Sequence, residues 1–193
     1  MADEIEDFVT FWAVPTFAVA TIALWFLDRP GPWYRWKIAC LRGLTAAGLG
    51  RIASQVVTHV WQRPRPFISH PHDTLLLVSP SHEPSFPSDH AVAAFAIALS
   101  VAFVGRKMGA LFLAAATMVA LSRVFVGLHY PGDIAGGALI GFVSAWIVTR
   151  VGGGRFTPLV RVLSRVSDPL VCPVWNALDR RGDRRRARRF VVR

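Results

Sequence analysis

Cysteine is scarce in this chain, charge is scarce, and strand-like alternation is missing. Cys40 and Cys172 are the only thiols in 193 residues. Two are too few for a disulfide scaffold or a thiolate zinc cluster, and each reads as a buried or interfacial thiol. Charged residues make up 18% against 53% for the hydrophobic set, with a mean hydropathy of +0.40, a balance that excludes a disordered chain and an ordinary water-soluble domain. No period-two pattern recurs through the apolar stretches, which rules out a closed membrane barrel. A chain of this length makes one compact unit, because two would each be short of core.

What is present in quantity is long apolar sequence. Residues 8–27 run without a charge for the length needed to cross about 30 Å of hydrocarbon, and the acidic MADEIED before them is unlike the basic start of a secretory signal. Further spans are expected near 41–61, 88–104, 109–129 and 134–151, giving an all-α polytopic bundle of about five transmembrane helices, with six as the alternative. Gly132, Gly136, Gly137 and Gly141 offer GxxxG spacings at which the fifth helix can pack closely on a neighbour. The membrane unit is expected over 1–151. Residues 152–193 are expected to form a cytoplasmic tail: an interfacial amphipathic stretch over 157–178, interrupted by prolines, followed by the polybasic RRGDRRRARRFVVR.

Cations set the expected orientation. Arg29, Arg35, Lys37 and Arg42, then Arg106 and Lys107, then twelve arginines from Arg150 to Arg193 fall on alternate connections, so those connections are placed on the cytoplasmic side. The net charge of +10 therefore reads as a topology signal and a tail resting on anionic lipid. Nucleic acid is not an expected partner, since no aromatic or base-reading pattern accompanies the charge.

With that topology, three polar clusters share the outer face: Gln62-Arg63-Pro64-Arg65-Pro66-Phe67, Phe86-Pro87-Ser88-Asp89-His90, and Ser122-Arg123 with His129 and Asp133. Outer arginines run against the positive-inside bias, which favours a ligand over simple anchoring. Guanidinium forks suit phosphoryl oxygens, and a helix N-terminus at Ser88 adds free N–H groups. Two histidines can divide a displacement between nucleophile and proton donor, with a carboxylate four residues on to orient the first. Ser88 and Asp133 also sit where ordinary helix caps would. His70, His72, Asp73, His82 and Glu83 lack any helical spacing that fixes a metal geometry, so no metal is expected there. The apolar run Leu75 to Val78 in the same connection is a candidate lid.

Ser122-Arg123, five residues, His129, three residues, Asp133 resembles the S-R-x5-H-x3-D signature of the type 2 phosphatidic acid phosphatase superfamily. Pro87-Ser88-Asp89-His90 resembles its P-S-G-H motif and Arg65-Pro66 the end of its K-x6-R-P motif. The spellings RPRPF and FPSDHA are most similar to the bacitracin-resistance branch of undecaprenyl-diphosphate phosphatases. The resemblance implies hydrolysis of a polyprenyl diphosphate without metal or other cofactor. It implies His129 as nucleophile, Asp133 as its orienting partner, His90 as acid and then base, and Arg65, Ser88 and Arg123 around the phosphoryl oxygens, with Arg63 an added substrate contact.

Two positions depart from the family pattern. Thr58 stands where the wider family has lysine, and Asp89 stands for glycine and is expected to turn from the phosphate toward a helix cap or an arginine. Arg51 lies fourteen residues before Arg65, about 21 Å away along a continuous helix, out of reach of the same phosphate. Other lipid phosphates, such as phosphatidylglycerophosphate, phosphatidic acid or a polyprenyl-phosphosugar phosphate, are alternative substrates, and an anion or lipid transporter is the alternative of another class.

Overall fold

The computed structural model describes residues 16–31, 34–72, 74, 76 and 83–191, with side chains described through Arg180 apart from Leu178. The first part of the expected first span, Asp73, His82, most of the candidate lid and the side chains of the basic tail after Arg180 lie outside those residues. Among the described residues there are helices and no strands: α1 (Thr16–Leu27), α2 (Arg35–Val60), α3 (Pro66–Ser69), α4 (Asp89–Ala102), α5 (Arg106–Phe125), α6 (Pro131–Gly152) and α7 (Phe156–Val191).

Helix α4 is the centre of the bundle and packs against α2, α5 and α6. Its 14 residues read DHAVAAFAIALSVA, and the small side chains let its neighbours approach closely. Ala94, Ala98 and Val101 join Ala39 and Cys40 of α2 and Phe112 and Ala116 of α5 in one buried cluster. Ala96 joins Ala46 of α2 and Ala145 and Val148 of α6 in another. On α6 a side chain at Gly137 would place its Cβ 2.7 Å from the Ser88 carbonyl oxygen, and one at Gly141 would sit 2.7 Å from that of Val92. These two glycines, one turn apart, are what lets α6 lie against the backbone of α4.

The outside of the bundle is apolar. Leu111, Met118, Leu121 and Phe125 on α5 and Leu139 and Trp146 on α6 are exposed, the inverse of a water-soluble domain and the pattern of a lipid-facing surface. Helices α5 and α6 are long and apolar enough to cross a membrane. The shorter α4 covers about 21 Å by its helical rise.

Helix α7 differs from expectation in continuity: it runs as one helix through Pro169 and Pro173. Its position follows from its contacts. Arg42 donates to the Gly153 carbonyl (2.7 Å), Trp25 Nε1 to Ser167 Oγ (3.1 Å), and Arg29 pairs with Asp179 (2.7 Å). Lys37, almost fully buried, contacts Ser164 Oγ (3.2 Å) and Asp168. Every bundle partner in these bonds lies at the end of α1 or the start of α2, although Asp179 is about 39 Å of helical rise beyond Gly153. Helix α7 therefore lies across that end of the bundle and does not run alongside α6. Beside it the Asp28 carboxylate accepts the backbone N–H groups of Trp36 (2.9 Å) and Lys37 (3.2 Å). Burial raises its pKa, with those bonds and the Lys37 charge opposing.

Candidate active site

At the opposite end, the close of α2, the turn into α3, the start of α4, the close of α5 and the start of α6 converge. They enclose a cavity of about 560 Å³ lined by Arg51, Gln55, Thr58, Gln62, Arg65, Asp89, His90, Arg123 and His129 among others. The three polar clusters, more than sixty residues apart at their extremes, meet here.

The start of α6 organises one wall. Asp133, with no exposed surface, accepts the Tyr130 N–H (2.8 Å) and the Ser85 hydroxyl on one oxygen, and Arg63 Nη1 (2.9 Å) on the other. It thus caps its own helix as well as serving the site, because a carboxylate in the first turn meets both free N–H groups and the positive end of the dipole. The Asp133 carbonyl in turn accepts the Ser88 N–H (3.1 Å), which ties the start of α4 to the start of α6.

His129 is buried, and its Nδ1 lies 2.8 Å from the Ser85 carbonyl oxygen and 3.6 Å from Asp133 Oδ2. A carbonyl can only accept, so Nδ1 carries the hydrogen and the neutral ring keeps its lone pair on Nε2. Asp133 is the expected orienting partner. The structure sets the Ser85 carbonyl nearer, with the Ser85 hydroxyl bridging to the carboxylate. Nothing in the sequence marks a carbonyl as a partner, since every residue has one.

Arg65 and Arg123 are both buried, at 6% and 4% exposure. Arg65 is held by Nε on the Glu83 carbonyl (2.7 Å) and Nη1 on the Leu128 carbonyl (3.3 Å), which leaves its other amino group for a ligand. Burial lowers its pKa, the Glu83 and Asp133 charges pull the other way, and it stays a cation. Arg123 faces Nε2 of His90. Among the described residues two polar atoms around this site are buried without a hydrogen-bond partner: Arg123 Nε, of a lining residue, and Ser88 Oγ, fully buried between the lining residues Pro87 and Asp89. Ser88 stands at the N-cap of α4 yet makes no side-chain cap bond. Such orphaned donors are costly unless something else meets them, and a tetrahedral oxyanion between them would.

Arg63 is placed differently from the expectation of a substrate contact. Its guanidinium bonds Asp133 and stacks 4.0 Å from the centre of the Tyr130 ring, outside the cavity lining. Arg65 has φ −73° and ψ 158°, a polyproline-like geometry. At three residues per turn, side chains two positions apart face different ways, so of the two arginines in RPRPF one braces the carboxylate and the other enters the cavity.

Thr58 donates to the Phe86 carbonyl (3.3 Å), so the position that holds lysine in the wider family here ties down the 83–88 loop. Trp61 packs on Phe86 with ring centres 4.7 Å apart and helps hold the same loop. Asp89 turns to an arginine: it pairs with Arg51 and accepts the Ser54 hydroxyl. The rise-based separation of Arg51 from Arg65 assumes a continuous helix between them. Helix α2 ends at Val60 and residues 61–65 are not helical, so the continuous helix does not reach Arg65, and Arg51 and Arg65 line one cavity. Among the described residues no group of three or more His, Cys, Asp or Glu could hold a metal ion.

Comparison with known proteins agrees with this geometry. The model of the PAP2 superfamily matches residues 39–156. Undecaprenyl-diphosphatase BcrC of Bacillus subtilis is 28% identical over 169 residues, covering 88% of this chain and 84% of its own. Decaprenylphosphoryl-5-phosphoribose phosphatase of Mycobacterium tuberculosis is 36% identical over 121 residues, 62% of this chain and 63% of its own. The crystal structure of Aquifex aeolicus LpxE superimposes with a TM-score of 0.64 at 24% identity, covering 77% of this chain and 86% of that one. An inside-out helical bundle, a buried imidazole with a free Nε2 and a cradle of arginines around unpartnered donors are thus joined by a family match over most of the bundle, and this chain belongs to the PAP2 superfamily of membrane lipid phosphatases.

Proposed function

We propose that the protein removes the terminal phosphate of undecaprenyl diphosphate or a similar polyprenyl diphosphate, releasing the lipid monophosphate and inorganic phosphate. The observation that carries this reading is a His129 ring held by Nδ1 that lines one cavity with Arg65 and Arg123, where Arg123 Nε and the neighbouring Ser88 Oγ have no hydrogen-bond partner among the described residues. His129 Nε2 attacks the terminal phosphorus. The bond from phosphorus to the bridging oxygen breaks, its electron pair leaves on that oxygen, and His90, entering the step as an imidazolium with Arg123 turned from its Nε2 to the substrate oxygens, supplies the proton. Arg65, Arg123, Ser88 and the N–H groups at the start of α4 hold the three equatorial oxygens as charge builds on them. Water then attacks the phosphohistidine, losing its proton to His90, and the electron pair of the breaking P–N bond returns to His129.

The positive-inside bias places this end of the bundle outside the cytoplasm, at the outer leaflet of the plasma membrane, and α7 with the basic tail on anionic lipid at the cytoplasmic face. Hydrolysis there returns a cell-wall lipid carrier to use. Support for the diphosphate comes from the 28% identical undecaprenyl-diphosphatase and from the cavity's size. The test is phosphate release by the purified protein from undecaprenyl diphosphate beside phosphatidylglycerophosphate, phosphatidic acid and a decaprenylphosphoryl 5-phosphoribose. The diphosphate should have the highest kcat/KM. A better substrate among the other three would overturn the assignment, and no release from any of them would favour a transporter.

A further inference from the structure

We propose that Arg51 is a second phosphate-binding residue, positioned by Asp89 and Ser54 to hold the inner phosphate of a diphosphate headgroup, and that it sets the preference for diphosphates over phosphate monoesters. This rests on the reading of the cavity as a polyprenyl diphosphate site.

Arg51 is nine residues before the end of α2, in a helix whose outward side chains Ile52, Val56 and Val60 are apolar and exposed. An arginine at such a position is expensive without a partner and a purpose. Its partner is Asp89, whose other carboxylate oxygen takes the Ser54 hydroxyl (2.5 Å). The pair neutralises both charges and fixes the guanidinium against the cavity wall. Asp89 meets Nη1 of Arg51, and a guanidinium carries five N–H donors, more than one carboxylate oxygen can take. The side chain is 50% exposed, against 6% for Arg65 and 4% for Arg123. It is the cavity arginine with the most room for a ligand.

The position fits the leaving-group side. Asp89 immediately precedes His90 in the first turn of α4, so the residue that holds Arg51 adjoins the one proposed to protonate the bridging oxygen. With the terminal phosphoryl group against His129, Arg65 and Arg123, the next atoms past the bridging oxygen belong to the inner phosphate of a diphosphate, or to an alkyl chain in a monoester. Rupture of the anhydride moves negative charge onto the inner phosphate, where a fixed guanidinium stabilises it. A monoester leaves as an alcohol with no charged group there. Arg51 thus supplies a cation that Thr58 does not, from one helical face: positions 51, 55 and 58 form a polar stripe of Arg, Gln and Thr along the cavity side of α2, and Gln62 lines the same cavity just past the end of the helix.

The experiment compares farnesyl diphosphate with farnesyl monophosphate in detergent micelles, which keeps the tail constant and removes only the inner phosphate. In Arg51→Met, kcat/KM for the diphosphate should fall roughly 10- to 100-fold, the range for losing a hydrogen bond to a charged group. The value for the monophosphate should fall no more than about 3-fold, the scatter of a peripheral change. Arg51→Lys should recover part of the selectivity. Asp89→Asn should raise KM for the diphosphate more than it lowers kcat, because it loosens the guanidinium and leaves the reacting groups in place. Equal losses on both substrates, or an unchanged ratio in an Arg51→Met protein that melts like the wild type, would overturn the subsite. Should the wild type itself show no preference for the diphosphate, the substrate assignment fails first, and the subsite fails with it. A wild type that prefers the diphosphate while Arg51→Met keeps the ratio sinks the subsite alone.

Discussion

Replacing Gly137 by alanine should cripple catalysis while leaving the bundle folded, because the added methyl group strikes the part of α4 that carries the chemistry. Its Cβ would stand 2.7 Å from the Ser88 carbonyl oxygen, 2.9 Å from Ala91 Cβ and 3.3 Å from the Val92 nitrogen. Ordinary contact begins at 3.4 Å, so the start of α4 must retreat by about 0.7 Å. Two of the three atoms struck are backbone, so no rotamer change can absorb the clash. Ser88, Asp89 and His90 ride on that segment, and the Ser88 N–H bond to the Asp133 carbonyl would stretch with them. Overpacking of this kind costs about 1–3 kcal/mol of stability, and a misplacement approaching 1 Å in a catalytic constellation costs up to about 100-fold in rate. The assay is phosphate release from lipid diphosphate beside thermal unfolding in the same detergent. Gly48→Ala on α2 is the control, since nothing lies within 4 Å of a Cβ there. Wild-type kcat/KM in Gly137→Ala, or an equal loss in Gly48→Ala, would show that the α4–α6 approach does not position the site.

Other changes separate the roles of neighbouring groups. His129→Ala should lower phosphate release by at least about 1,000-fold, as loss of a covalent nucleophile does, and rapid quenching should recover no phosphoenzyme; a labelled enzyme from this variant would move the nucleophile elsewhere. Arg63→Ala should lower kcat by roughly 10-fold with little change in KM, because it strips one partner from the buried Asp133, whereas Arg65→Ala should raise KM as well. The reverse pattern in steady-state kinetics would return Arg63 to the substrate. Lys37→Met should destabilise the protein by about 3 kcal/mol by leaving Asp168 unpaired under α7, and Lys37→Met with Asp168→Leu should recover most of it; calorimetry in detergent that finds the double variant no better than the single would remove the ion pair from the docking of α7.

The legible part of this molecule was the part written in side-chain chemistry at short range. His129 and Asp133 are separated by one Pro-Gly turn and the start of a helix, so their spacing in sequence is nearly their spacing in space, and Ser88 and His90 share a first turn in the same way. Long apolar windows show α5 and α6 because lipid asks only for length and hydropathy. The tie between α4 and α6 was half visible: Gly137 and Gly141 announced a close approach, but a GxxxG spacing does not name its partner, and Ala91 and Val92 opposite them look like any apolar pair. Pro169 and Pro173 read as helix breakers in sequence because the contacts of Lys37, Trp25 and Arg29 that hold α7 against the bundle are invisible there.

Arg51 shows why the remainder was out of reach. Rise per residue gives the separation of two side chains only while both ride the same helix, and here the helix stops at Val60, before Arg65. Trp61 against Phe86, Thr58 on the Phe86 carbonyl and Arg65 on the Glu83 carbonyl bind the returning chain to a loop twenty residues further on. Arg51 and the arginine of the motif therefore line a single cavity, and the aspartate that stands for glycine is the group that pairs with Arg51. A substitution that breaks a family pattern is more informative when its partner is sought in space: Asp89 without Arg51 would repel substrate, and Arg51 without Asp89 would be an unpaired charge in a membrane helix. Each accounts for the other.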